Sequence, residues 1–217
     1  MEGRRILKKK VYEQIKQKIL DGEYAPSQHL VETSLAQELS VGRHKVRAAL
    51  DRLQADGLVE IEPNRGATVK SLELAEVLDI LIAREALEAG VAHLAAERVE
   101  ANQIQRLEEY LDTMREALDK GEYDLYSATN RRFHQVIYEA AGNETLPQLI
   151  IMLRQRLARL HLRAILIPGR SELSLAEHEA ILQGLKAHDA PAAERAARAH
   201  LSSLRMAIRN AWQLIRL

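Results

Sequence analysis

Three histidines in the second half of the chain have the side-chain chemistry to hold a metal ion. His134 follows Asn130 by four residues, so the two side chains share one helix face, and His178 and His200 fall on apolar stripes of later segments. A single histidine on an apolar stripe is more often a core residue with satisfied hydrogen bonds than a ligand. Three such histidines, one with a polar partner at i, i+4, shift the balance towards a metal site.

Two basic clusters in the first half could meet the phosphates of a nucleic acid. Residues 1–70 contain 13 Lys and Arg against 10 Asp and Glu, whereas the rest of the chain contains 18 against 21. The positive residues concentrate in 4–10 and 43–52, so local fields matter more than the total charge of zero. On composition alone, two solvated charged faces remain the simpler interpretation, and that interpretation suits Lys8, Lys9 and Lys10 at least as well as a DNA contact.

The elements that must position the second basic cluster form a helix-turn-helix. An amphipathic helix over 7–21 precedes two short helices over 31–39 and 44–56. A tight turn containing Gly42 joins the two short helices, and Gly57 stands where a glycine commonly follows a helix C terminus. Helical hairpins of this kind are also frequent in ordinary protein cores, so the pattern by itself does not establish DNA binding.

A predicted β-hairpin follows this pair of helices. Residues 58–62 alternate like a strand, residues 63–66 have turn chemistry, and residues 67–70 can return as a second strand. Helix, turn, helix and basic wing in this order predict a winged helix-turn-helix domain over residues 1–70.

The stretch Val31–Val69 resembles the DNA-binding domain of GntR-family regulators. It reads VETSLAQELSVGRHKVRAALDRLQADGLVEIEPNRGATV, with an acidic residue before Leu-Ala, then Val-Arg-x-Ala-Leu, Leu-x-x-x-Gly-Leu-Val and Asn-Arg-Gly. The resemblance implies binding to double-stranded DNA at a pseudo-palindromic operator. The implied DNA-binding residues are Arg43, His44, Lys45, Arg47, Arg65 and Gly66.

The physical chemistry of these residues agrees with the resemblance. Arg43 and Arg47 share one face at the start of the recognition helix, and arginine can donate two hydrogen bonds to guanine O6 and N7. We therefore expect these two to read bases, with His44 and Lys45 contacting phosphates or bases, and the Arg65–Gly66 wing tip approaching the minor groove. The usual Ser and Thr-Pro of the family are replaced by Gly42 and His44-Lys45, which affects the target sequence rather than DNA binding itself.

From Ser71 to Leu217 we expect an all-α antiparallel bundle, so the fold class is predominantly α with a small β-hairpin wing. Gly121, Gly142-Asn143 and Pro168-Gly169 are among the breaks between the predicted helices. The six segments lie near 72–98, 101–119, 122–141, 145–166, 171–188 and 191–215.

The second domain, residues 71–217, resembles the ligand-sensing FCD-type domain of the FadR subgroup of GntR regulators. The similarity rests on Asn130–His134, Ala140–Asn143, Glu177–Leu182 and the position of His200. It implies a divalent metal ion held by Asn130, His134, His178 and His200, with Asn130 at a position that is most often Asp. Imidazole ligands bind several divalent metals, of which we expect Zn or Ni at this site.

The charge of such a site predicts an anionic ligand. Four neutral ligands leave a divalent ion at +2 inside a helical bundle, where that charge is poorly solvated. We expect a small carboxylate effector to reach the metal and to meet Arg84 with its other end. Arg84 lies on an apolar stripe, and spacing alone equally allows a structural pair with Glu85 or Glu88. Arg163 is a second candidate for effector binding.

The composition of the chain excludes several kinds of site and several classes of protein. The chain contains no cysteine, which excludes disulfides, thiol catalysis and Cys-ligated zinc. Met1–Lys10 lacks the apolar core of a signal peptide, and no stretch approaches the roughly 18 apolar residues of a membrane span. We expect a cytoplasmic homodimer that does not associate with membranes.

From the two resemblances we expect a ligand-responsive transcription regulator, a repressor that a small carboxylate releases from its operator. Two other functions compete with this prediction. A metal-dependent hydrolase or lyase could use the three-histidine site to activate water, with Glu177 or Glu179 as the base. These neighbours of His178 point about 100° away from it on a helix, so neither is well placed. A protein-interaction module without DNA binding would leave the basic turn and wing unexplained.

Overall fold

The computed structural model describes residues 2–62, 66–157 and 164–215, with side chains from residue 10 onward. The first compact unit comprises the described residues up to Glu73 together with residues 155–157. Its elements are α1 Glu2–Leu20, β1 His29–Leu30, α2 Glu32–Glu38, α3 Arg43–Ala55, β2 Val59–Glu62 and β3 Gly66–Val69. Those of the second unit, which begins at Leu74, are α4 Leu74–Arg98, α5 Ala101–Asp119, α6 Tyr123–Ala140, α7 Thr145–Arg156, α8 Arg170–Lys186 and α9 Ala190–Ile215.

The first unit has the predicted winged helix-turn-helix architecture, with α2 and α3 as its paired helices. Its core contains the apolar stripes of α1 and α3, whose side chains recur every three or four residues and therefore share one face. The fully buried members of these stripes are Val11, Ile15, Ile19, Val46, Leu50 and Leu53.

The sheet of this unit has three antiparallel strands in the order β1-β3-β2. The predicted hairpin is confirmed as β2 and β3, in a register that pairs Glu62 with Gly66. The third strand, β1, pairs His29 with Thr68 and was not predicted, because two residues are too few to show alternation.

The second unit is the predicted bundle of helices, in which α9 packs along α4 and α8, and α5 packs on α6. One predicted boundary is wrong. The helix expected over 145–166 ends at Arg156 and Leu157 lies in a turn, although the sequence offers no Gly or Pro between Pro147 and Pro168. Residues 158–163 lie outside the described part of the chain.

No membrane-spanning candidate occurs among the helices that the structure describes, since none is both long enough and apolar enough.

Candidate functional site

The N terminus of α3 presents the basic residues that the sequence predicted to contact DNA. Arg43, His44 and Arg47 are exposed, and Lys45 is half-buried. Gly42 caps the helix with an extended backbone (φ −71°, ψ 142°), and no side chain caps it. A Cβ added at Gly42 would lie 2.9 Å from Nδ1 of His44. The imidazole of His44 therefore lies against Gly42, and a side chain at position 42 would require the exposed His44 ring to move.

Glu32, at the start of α2, holds the guanidinium of Arg47 in a two-pronged ion pair. Arg47 Nε donates to Glu32 Oε1 and Nη2 donates to Oε2, each at 2.8 Å. The hydrogen bond from Arg47 is the main cause of a lowered pKa at the Glu32 carboxyl. The Arg47 side chain is still 70% exposed, so its remaining N–H groups face solvent. Sequence reasoning noted the acidic residue before Leu-Ala but gave it no role.

The wing places a steric requirement on Gly66, at the start of β3. Its backbone has φ +95°, and an added Cβ would lie 2.9 Å from the carbonyl oxygen of Leu30 on β1. Glycine is therefore required here by the approach of two strands, whatever its role towards DNA. Arg65, the predicted minor-groove residue, lies outside the described residues.

In the second unit, α6, α8 and α9 bring His134, His178 and His200 together. All three imidazoles are buried, and one ring nitrogen of each lies within 4.8 Å of the others. The Nε2 atoms of His134 and His178 are 3.0 Å apart. Asn130, one turn before His134, is also buried, and its Oδ1 has no hydrogen-bond partner among the described residues.

Neighbouring side chains orient two of these imidazoles. His200 Nδ1 lies 2.7 Å from Glu177 Oε2, and His178 Nδ1 lies 3.4 Å from Ser174 Oγ. Each contact occupies Nδ1 and leaves Nε2 for a ligand role. Glu177 does point away from His178, as expected, but it reaches His200 on the adjacent helix, which sequence reasoning missed.

Burial favours the uncharged form of two histidines, whereas hydrogen bonds favour the charged form of one carboxyl. Burial lowers the pKa of His134 well below its ordinary value, with the charge of Arg154 acting in the same direction. Burial likewise lowers the pKa of His178, aided by His200. For Glu177, burial would raise the pKa of the carboxyl, but the hydrogen bonds from His200 and Ser203 outweigh it and the pKa is lowered. Neutral imidazoles with free lone pairs are the form that binds metals.

This donor set fits a divalent metal ion. Three imidazoles and an amide oxygen that has no partner among the described residues are ligands of the type that Zn²⁺ and Ni²⁺ accept. The buried Asn130 Oδ1 would otherwise lack a hydrogen bond, which is costly in a bundle interior.

A small cavity lies beside the histidine cluster and is lined by Arg84, Asn130, His134, Arg170 and His200, among others. It encloses about 30 Å³, which is room for about two water molecules.

Arg84 makes the structural pair that spacing allowed, and it also lines the cavity. Its Nε and Nη2 donate to Glu88 Oε1 at 2.9 and 2.7 Å, which is the structural pair. Its Nη1 is buried without a partner in the described part of the chain, and Arg84 lines the cavity. Arg163, the second predicted effector residue, lies outside the described residues. Arg170, which sequence reasoning missed, lines the cavity as the first residue of α8.

Two family models match the chain. The description "Bacterial regulatory proteins, gntR family" matches residues 7–69, and "FCD domain" matches residues 79–203.

Several curated relatives are transcriptional regulators. The chain is 28% identical to the HTH-type transcriptional repressor RspR of Escherichia coli K12, over 92% of this chain and 88% of that protein. It is 30% identical to the HTH-type transcriptional regulator LutR of Bacillus subtilis, over 86% of this chain and 94% of that protein.

A similar fold occurs among solved structures. Escherichia coli McbR/YncC matches with a TM-score of 0.75 at 23% identity, covering 96% of this chain and 98% of that one. A putative transcriptional regulator GntR from Rhodococcus sp. RHA1 matches with a TM-score of 0.72 at 20% identity, covering 94% and 98%. At these identities the likeness shows the fold alone.

Proposed function

Because the chain belongs to the GntR family of bacterial regulatory proteins and carries an FCD domain, we propose that it is a repressor released from its operator by a small carboxylate at a metal-containing cavity. The chain is a transcriptional regulator and not an enzyme, because its family and its curated relatives are transcriptional regulators. The alternative of a metal-dependent hydrolase or lyase is therefore set aside.

DNA binding is assigned to the N terminus of α3 and to the wing. Arg43 and Arg47 read bases in the major groove, while His44 and Lys45 contact phosphates or bases. The ion pair with Glu32 supports this role, because it fixes the plane of the Arg47 guanidinium and leaves its other N–H groups for a base edge. Arg65 and Gly66 are assigned to the minor groove.

Metal binding is assigned to Asn130, His134, His178 and His200. The observation that carries this assignment is the meeting of three buried imidazoles beside an amide oxygen that lacks a partner. When bound, the metal would supply positive charge and open coordination positions for a carboxylate. The chain supplies the other contact for the effector through Arg84, whose Nη1 has no partner among the described residues. Arg163 remains a predicted second contact.

The size of the cavity explains how effector binding could change the protein. With a volume of about 30 Å³, the cavity takes up the whole of a carboxylate of several carbons only if lining side chains move. Ala164 and Ile165, which precede α8, are part of that lining. An effector therefore favours a conformation with a wider cavity, and the resulting population shift is the basis for release from DNA.

Homodimerisation through the second domain completes the proposal. A two-fold pair of recognition helices matches a pseudo-palindromic operator, and each copy then reads one half-site. Repression is supported by the name of the RspR relative, which shares 28% identity with this chain.

The first experiment is elemental analysis of the untagged protein by plasma mass spectrometry, beside the variants His134→Ala and His93→Ala. His93 is a matched control because it is a half-exposed histidine of the same unit that pairs with Glu194 and lies outside the cluster. We expect near-stoichiometric metal in the wild type and in His93→Ala, and little in His134→Ala.

The same samples then report on effector release. Carboxylates are screened for release of an operator selected from random DNA, and only the metal-containing proteins should respond. Absence of metal from the wild type, even after reloading with Zn²⁺ or Ni²⁺, would contradict the metal assignment and leave DNA binding standing. Equal metal in all three proteins would contradict the choice of ligands.

A further inference from the structure

We propose that Arg170 is a second anion-binding side chain of the cavity and that the effector is a small dicarboxylate. One carboxylate lies at the metal, and the other lies between Arg84 and Arg170. This inference rests on the proposed function, because it specifies the chemistry of the effector's far end.

The unsatisfied hydrogen-bonding groups of Arg170 point to a ligand. Arg170 is 5% exposed, and its Nη2 donates to Glu177 Oε2 at 2.9 Å. Its Nε and Nη1 are buried and have no partner among the residues that the structure describes. A guanidinium with two buried nitrogens unpaired is costly, so an acceptor is expected where Arg170 lines the cavity.

The existing carboxylate partners do not reach every nitrogen of the two arginines. Glu177 already accepts from His200 as well as from Arg170, and Glu88 already accepts two hydrogen bonds from Arg84. Three guanidinium nitrogens therefore remain without a partner in the described part of the chain: Arg84 Nη1, Arg170 Nε and Arg170 Nη1. An anion accepts such hydrogen bonds more strongly than a hydroxyl or an amide does.

Two arginines from different helices line the same cavity. Arg84 lies on α4 and Arg170 on α8, so one ligand in the cavity can reach both. The histidine cluster borders the same space through His134 and His200. A molecule with an anionic group at each end would satisfy the metal and the arginine pair together.

The charges around the cavity agree with a dianion. Glu88 neutralises Arg84, and Glu177 neutralises Arg170. The guanidinium of Arg154 donates to the neutral hydroxyl of Tyr138 at 3.1 Å, and its charge acts on Glu88 and His134. With a divalent metal present, the positive charge exceeds what a single carboxylate offsets.

The test compares diacids with monoacids of the same carbon count on the zinc-loaded dimer, by titration calorimetry. The pairs are malonate and propionate, succinate and butyrate, and glutarate and valerate. Zinc content is measured after each titration, so that chelation of the metal by a diacid is not mistaken for binding. We expect the best diacid to bind about tenfold or more tightly than its matched monoacid.

Two variants test whether Arg170 causes the preference for diacids over monoacids. In Arg170→Gln the advantage of the diacid should disappear, while the monoacid changes by less than about threefold. Arg205→Gln is the matched control, because Arg205 is also partly buried, pairs with a glutamate and has an unpaired Nε, yet it does not line the cavity. This control should keep the full preference.

Each result of the titrations tests a different part of the inference. Equal binding of diacids and monoacids by the wild type, which needs no variant to fold, would overturn the dicarboxylate while keeping a carboxylate effector. A diacid preference that survives in Arg170→Gln would overturn the role of Arg170. Failure of every acid to bind the zinc-loaded protein would overturn this inference together with the proposed effector class, whereas metal content and DNA binding test the rest of the proposed function separately.

Discussion

Individual hydrogen bonds decide what the chemically active residues of both units can do. On α3, the carboxylate of Glu32 fixes the orientation of Arg47 without burying it. In the histidine cluster, Glu177 accepts from His200 Nδ1 and so fixes which nitrogen of that ring is free. Both glutamates act through a neighbour, and both have a lowered pKa because of that neighbour's hydrogen bond.

Replacing Glu177 with Gln should weaken zinc binding about 10- to 100-fold, because the amide loses the negative charge that supports His200. Competition with a chromophoric chelator measures the change. Glu179→Gln is the matched control, since Glu179 lies on the same helix and is exposed. Similar affinities for the two variants would show that Glu177 does not support the metal site.

Replacing Arg47 with Ala should weaken binding to a selected operator by about 1–3 kcal/mol while changing binding to random DNA less. Lys45→Ala should instead weaken both kinds of binding alike and reduce the salt dependence by about one phosphate contact. Fluorescence anisotropy over a range of salt concentrations separates the two patterns. A loss of only a few tenths of a kcal/mol for Arg47→Ala would remove Arg47 from the base-reading residues.

At the scale of elements, the end of α3 sets the path of the chain into the wing. Gly57 has φ +72°, its N–H donates to the carbonyl of Gln54, and the N–H of Leu58 donates to the carbonyl of Leu53, each at 2.9 Å. This is the glycine-dependent helix ending that the sequence predicted, and Leu53 and Leu58 on either side of it are both buried in the hydrophobic core of the unit. The strand β2 begins directly after it, at Val59.

Two glycine substitutions should change stability in opposite directions. Gly57→Ala should lower the free energy of unfolding of the first unit by about 1–2 kcal/mol, because only glycine tolerates the left-handed conformation without cost. Gly90→Ala, in the middle of α4, should raise that of the second unit by about 0.5–1 kcal/mol, since an added Cβ meets no atom within 4 Å. Urea denaturation followed by circular dichroism measures both. A loss of stability in Gly90→Ala would indicate that a partner copy fills the space beside it.

At the scale of the whole molecule, packing three imidazoles inside a bundle links stability to pH. The interior disfavours a charged imidazolium, so His134 and His178 stay neutral in the folded protein at pH values where they are protonated in the unfolded chain. The unfolded state then binds more protons, and stability must rise with pH in that range.

The metal-free protein should therefore lose stability as the pH falls below about 6.5, by about 1.4 kcal/mol per pH unit for each of these two histidines. Urea denaturation at several pH values between about 6.5 and 5.5 measures the slope, above the range in which ordinary carboxyl groups titrate. The double variant His134→Gln/His178→Gln should have a much flatter dependence. An equally steep slope in that variant would assign the effect to other groups.

The sequence by itself determined the class of fold and the residue types of the candidate sites. Apolar residues at helical spacing, a basic turn and Gly57 were enough to predict the winged helix-turn-helix and the bundle, because periodicity and capping are local properties of the chain. The inward position of the three histidines followed from the same periodicity. The strand β1 escaped prediction, because its pairing with β3 joins residues 39 positions apart.

Only the tertiary structure decided which polar groups meet. Glu177 accepts a hydrogen bond from His200 on another helix, and Glu32 pairs with Arg47 across the turn. Arg170 of α8 lines a cavity together with Arg84 of α4. These contacts depend on how helices cross and rotate against one another, which the spacing within one helix does not determine. Arg84 and Arg170 have nitrogens without a partner among the described residues, and this becomes evident only when the tertiary structure places the acceptors around them.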